Sequence, residues 1–202
     1  MRSGEKCFFI GTIASFNWDT TVALGSISAS QTHLSNQYYD ICIRRARGYC
    51  SVCYSPQLTS TTIQSSYGIG TSSDDTAQKA RIGSQCTGVT TFNAIETNQA
   101  GLGDYLEIAA LQTAPATSTT IAGVSRICGN IWSATTSGTA HATLCSFATP
   151  FKVGVHFDSD EVVFSPLTAA KQSNNENQAV ATSTGAGLGY NGFYLNYFQA
   201  TC

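Results

Sequence analysis

The sequence predicts an all-β protein, a single antiparallel β-sandwich held together by disulfides. Three observations carry that expectation. Apolar and polar residues alternate with a period of two through most of the chain, and no stretch of about ten residues shows a helical period. Ser and Thr number 23 and 26 while charged residues make up only 11%, so the polar surface is built from small hydroxyl side chains among many β-branched and aromatic ones. Eight cysteines, an even number, run from Cys7 to Cys202 with no paired metal-ligand spacing. A chain in a reducing compartment rarely keeps so many thiols without zinc or redox chemistry, so four disulfides in a secreted protein are expected.

The elements follow in order. Residues 8–16 read as a strand, then 39–44 and 50–54, with 45–48 a tight basic turn between the last two. Residues 55–84 are rich in Ser, Thr and Gly and read as a loop, with a short turn of helix at 76–82. In 104–111 (DYLEIAAL), Leu106 and Ile108 fall on one face. Weaker strands are expected at 119–127, 141–147 and 161–164. The clearest alternation is at 150–158, where Phe151, Val153, Val155 and Phe157 face a core and Lys152, His156 and Asp158 face away. Residues 165–189 form a second polar loop. The last strand, 192–199, puts Phe193, Leu195 and Tyr197 on one face. Tyr194, Asn196 and Phe198 lie on the other, which is too aromatic for a freely solvated surface. No repeat or linker divides residues 1–202, so one domain is expected, with insertions over about 55–103 and 165–189.

Composition excludes several functions. Ten basic and twelve acidic residues give a net charge of −2, no footprint for nucleic acid or an anionic membrane. No apolar run reaches the roughly 18 residues of a membrane span. The N-terminal stretch is read as domain rather than signal peptide, because its apolar part is short, Glu5 sits among the basic residues and cleavage would remove Cys7; an export signal is expected upstream. The chain has no N-x-Ser/Thr sequon. It also lacks G-x-S-x-G and H-E-x-x-H; His33 and His141 have no acidic neighbour in sequence and His156 reads as a surface histidine on the outer face of a strand, so no catalytic activity is expected. The one basic cluster, Arg44, Arg45 and Arg47, reads as a solvated hairpin tip able to meet an acidic partner.

Several stretches, taken in order, resemble the CUB domain, an extracellular β-sandwich of jelly-roll type. They are Cys7 followed by Gly11-Thr12-Ile13-Ala14-Ser15, then Cys42-Ile43-Arg44 with Gly48-Tyr49, then Cys86 followed by Asp104-Tyr105-Leu106-Glu107-Ile108. Arg126-Ile127-Cys128-Gly129 comes next, and last Phe157 with Ser159-Asp160 before Gly192-Phe193 and Asn196-Tyr197. Residues 42–53 and 195–202 are most similar to CUB-like domains of secreted arthropod proteins. The resemblance implies the bridges Cys7–Cys42 and Cys86–Cys128. Of the remaining four cysteines, Cys50 and Cys53 lie three apart in one strand and face opposite sides, so each is expected to pair with Cys145 or Cys202. The preferred assignment is Cys50–Cys145 and Cys53–Cys202, the crossed pairing being the alternative. Eighteen residues separate Cys86 from Asp104, more than the family usually has.

Many CUB domains bind calcium at one end of the sandwich, which would carry over to Asp104, Asp158 and Asp160. Calcium takes about 6–8 oxygen ligands, and the acidic residue that the family carries before its third cysteine has no counterpart here. The competing expectation is that these aspartates hydrogen-bond to loop backbone. No other cofactor is expected. Two functions remain. One is a self-assembling extracellular protein that acts through contacts with copies of itself, with Tyr194, Phe198 and the three arginines as candidate contact residues. The other is a monomeric module recognising a protein or glycan.

Overall fold

A computed structural model of the chain describes residues 9–16, 18, 33–57, 66–69, 80–86, 104–114, 124–129, 131–135, 140–157 and 192–202. They hold ten strands: β1 (Ile10–Ala14), β2 (Gln37–Ile43), β3 (Tyr49–Pro56), β4 (Tyr67–Gly68), β5 (Ala80–Ile82), β6 (Tyr105–Thr113), β7 (Val124–Gly129), β8 (Leu144–Ser146), β9 (Phe151–Phe157) and β10 (Gly192–Thr201). A 3-10 turn at Gly83–Cys86 is the only helical element among the described residues, and none of them forms a helix able to cross a membrane. Every strand pairing is antiparallel. One layer runs β1-β10-β3-β8-β6 and the other β2-β9-β6-β7-β5, so β6 belongs to both and the sheet bends almost into a barrel.

The bend has a local cause. Tyr105–Glu107 pair with β9 on one side, and Gln112 and Thr113 pair with β8 on that same side. Between them Ile108, Ala109 and Ala110 lie opposite the single residue Ser125 of β7, a bulge in which Ala110 takes φ 54°. The Ser146 hydroxyl donates to the Ala109 carbonyl, which satisfies a bulge oxygen.

The inward residues of both layers form one core. Phe151, Val153, Val155 and Phe157 are buried, as the alternation of β9 requires, and they meet Leu106, Ile108, Phe193 and Leu195. Trp132 is fully buried, edge-on to Tyr54 and Tyr67, and its indole N–H donates to the Tyr54 carbonyl at 3.2 Å. The backbone N–H of Trp132 donates to His141 Nδ1 at 3.0 Å, and burial pushes the His141 pKa below its usual value.

Four expectations are corrected. Residues 80–82 are not helical: they pair with Cys128 and its neighbours in β7, where the ladder of an adjacent strand overrides a weak local preference. The segment read as a loop over 55–84 holds β4 and β5 and contributes to the core, where Tyr67, Ile69 and Ala80 are buried; its Ser- and Gly-rich composition hides single apolar anchors. The basic turn does not close a hairpin, since β2 pairs with β9 and β3 with β10 and β8. It is an arch between layers.

The fourth correction is to the disulfides. The structure bonds Cys50 to Cys202 and Cys53 to Cys145, the reverse of the preferred assignment, and also bonds Cys86 to Cys128. Register is the reason. Cys53 lies directly opposite Cys145 of β8, while on its other side it faces Phe198, about 13 Å along the strand from Cys202. Cys50 is the bulged residue of β3 beside the end of β10, with a Cα–Cα separation of 5.0 Å to Cys202. Cys42 has no bridge among the described residues, and Cys7 lies outside them. So do Asp158, Asp160 and the ranges 161–164 and 165–189.

Because only a residue without a branched Cβ sits readily at the left-handed Ala110 position, Ala110→Val lowers unfolding stability by about 2 kcal/mol in denaturant titration. An unchanged midpoint would show that the bulge is not fixed there.

Candidate functional site

Three surfaces carry polar chemistry. The first is the outer face of the β2-β9-β6-β7 layer. Register places Tyr38, His156 and Tyr105 in one row, and Asp40, Gly154, Glu107 and Arg126 in the next. The His156 ring stacks on Tyr105 (4.4 Å, 13° between planes) and meets Tyr38 edge-on at 4.3 Å; the Arg126 guanidinium sits 5.0 Å above Tyr105. Tyr38 is 81% exposed. His156 donates its Nε2 proton towards Glu107 at 3.2 Å, and Lys152 reaches Asp40 at 3.2 Å. Gly154 opens the floor between the two carboxylates, where a Cβ would come within 3.1 Å of His156 Nε2. Burial lowers the His156 pKa; Glu107 pulls it up, Arg126 pushes it down and Asp40 pulls it up.

The second is the basic arch. Arg44, Arg45 and Arg47 are all exposed. The loop beneath them is braced by Gln199 of β10, a buried side chain that accepts from Ala46 N–H and donates to the Arg44 carbonyl, both at 2.9 Å. The Tyr49 N–H donates to the Ala46 carbonyl at 3.2 Å, and Gly48 takes the positive φ of 86° that this turn needs.

The third is a buried cluster at the end of the sandwich. Asp104, just before β6, contacts His33, just before β2: Nε2 and Oδ2 are 2.7 Å apart and both side chains are sealed from solvent. The His33 ring packs on Phe157 at 4.3 Å. Ser15 Oγ accepts the Phe193 N–H at 3.1 Å. Serine, histidine and aspartate are the residue types of a hydrolytic triad, and here Ser15, His33 and Asp104 are all buried.

Sequence reasoning placed the candidate contact residues only in part. Tyr194 and Phe198 lie on the outer face of β10 as expected, but both are half-buried, and the Tyr194 ring stacks with Trp18 at 6.0 Å. The more exposed apolar residues are Phe9, Ile10, Phe16, Leu34, Tyr38 and Phe147. The alternation in QYYDICI carries the signal for Tyr38, which shares a face with Asp40 and Cys42. Nothing in the sequence joins His33 to Asp104 or Gln199 to the arch.

The animal CUB domain model matches residues 9–200. This chain belongs to the CUB domain family. Neither the curated proteins nor the solved structures include a match to it. CUB domains are in general non-enzymatic modules that mediate protein–protein contacts in extracellular proteins. Of the calcium set implied by the resemblance, Asp104 alone lies among the described residues. Asp104 faces an imidazole nitrogen, and among the described residues no three His, Cys, Asp or Glu side chains converge on a metal position. Asp158 and Asp160 lie outside the described residues.

The depressed pKa of His156 has a sign that NMR can check. Its titration midpoint lies below 6.5, moves up in Arg126→Ala and moves further down in Glu107→Gln. The group therefore favours the folded state above pH 6.5, and this contribution is lost as the pH falls through the folded-state midpoint. A midpoint above 6.5 would contradict the burial.

Proposed function

We propose that this CUB domain is a secreted, non-enzymatic extracellular protein that acts through contacts with copies of itself. The observation that carries this reading is the edge formed by β2. Its seven residues pair with β9 in unbroken register, and on its other side β2 has no partner strand among the described residues. It carries no proline, no bulge and one charge, Asp40, so it lacks the devices that ordinarily keep an edge from pairing with another chain. Phe9 and Ile10 at β1, the edge of the other layer, are exposed, as are Phe16 after β1, Leu34 before β2 and Tyr38 within it. Arg44 follows β2 directly, four residues after Asp40, so an antiparallel second copy can bring each arginine near the other's aspartate. The disulfides and family membership favour an oxidising, extracellular compartment.

A monomeric module recognising a protein or glycan is the second reading, favoured by the aromatic row Tyr38–His156–Tyr105 beneath Arg126. Light scattering on size-separated protein distinguishes them. The assembly reading expects a mass above one chain that rises with concentration, and at least about a tenfold weaker self-affinity in Tyr38→Lys with an unchanged melting temperature. A strictly monomeric wild type at millimolar concentration would sink it.

We also infer that Cys7 and Cys42 form the fourth bridge. The Phe9 carbonyl accepts the Gln199 N–H at 3.0 Å while the Gln199 side chain holds Arg44. The three bridges use six of the eight cysteines, which leaves Cys42 and Cys7. Thiol titration of the denatured, unreduced protein is expected to find no free thiol; two per chain would refute the bridge.

A further inference from the structure

We propose that His33 is the built-in hydrogen-bonding partner of Asp104, the carboxylate that the family resemblance assigns to calcium, and that this end of the sandwich is fastened without calcium. The contact is direct and dry: 2.7 Å between Nε2 and Oδ2, with the two side chains 0% and 1% exposed. A buried carboxylate needs a positive charge or a hydrogen-bond donor beside it. Calcium meets that need with a shell of oxygens, and the imidazole meets it with one N–H.

The surroundings are shaped for the ring. Phe157, the last residue of β9, packs against it at 4.3 Å. Gly192, the first residue of β10, has φ 88°, and a Cβ there would run into Ser15 Oγ and come within 3.2 Å of His33 Cβ. Ser15 follows β1 and is itself held by Phe193. The pair therefore sits where the ends of β1, β2, β6, β9 and β10 converge, drawn from both layers. Seventy-one residues separate its two members in the chain, so it ties the approach to β2 onto the start of β6.

Melting curves and calorimetric titration of the full chain, with calcium chloride and with a chelator, test this. The wild type melts at the same temperature in both, within about 1 °C, and takes up no calcium stoichiometrically at low millimolar concentration. A calcium-dependent rise of more than about 5 °C, or one bound ion per chain, would overturn the proposal. His33→Leu takes that donor away from the buried carboxylate and lowers the melting temperature by about 10 °C in either buffer. His33→Gln, which keeps an N–H donor of similar reach, recovers part of that loss. Equal melting of all three chains would mean that Asp104 does not depend on His33, and would equally overturn the proposal. His33→Glu supplies oxygens in place of nitrogen, so its melting temperature should be higher in calcium than in chelator. If that variant folds and shows no calcium response, the equivalence of His33 and a divalent ion fails; if it does not fold, the leucine and glutamine variants decide.

Discussion

At Ala110 strand β6 leaves one layer of the sandwich and enters the other. Ahead of the bulge it is flanked by β9 and β7; beyond it, β8 takes the place of β9. Closing two layers on a shared strand removes one pair of sheet edges and forces the inward faces together. Trp132, Tyr54 and Tyr67 pack edge to face in the space this leaves, and Ser146 caps the exposed bulge carbonyl. Without the bulge, β8 and β9 would compete for the same side of β6, and β3 could not reach β8 to align Cys53 with Cys145.

Closure on one side leaves the other side open. β1 and β2, the outer strands of their layers, are where most of the exposed large apolar residues gather. The disulfides strengthen the closed part: Cys53–Cys145 joins neighbouring strands, Cys50–Cys202 pins the chain end beside the arch, and Cys86–Cys128 secures the 3-10 turn to β7. In the chain-entropy model each contributes roughly 3–5 kcal/mol by restricting the unfolded chain. The resulting body keeps its open edges and its basic arch in fixed relative positions.

Polar groups divide by place in the same way. On the outer face His156, Tyr105, Glu107 and Arg126 stack and pair in partial contact with water, where each interaction is weak and adjustable. Inside, His33 and Asp104 have no water to fall back on, and Gln199 satisfies two backbone groups of the arch at once. The buried polar groups govern where loops attach, and the exposed ones shape what a partner meets.

The sequence by itself determined the all-β class, the inward faces of β6, β9 and β10, and a disulfide-based stability, because period-two alternation and cysteine count are local properties of the chain. Strand identity was legible in the same way wherever four or more residues alternate, but the strand read over 39–44 left Tyr38 outside it. It did not determine which strands are neighbours. Register between β3, β8 and β10 decided the cysteine partners, layer assignment turned the basic hairpin into an arch, and isolated anchors such as Tyr67 and Ile69 entered the core from a segment that reads as loop. Only the tertiary structure brought His33 to Asp104, since the two share no motif or spacing. Their pairing follows from convergence of strand ends that are remote along the chain, and the need of a buried carboxylate for a donor acts only once those ends have met.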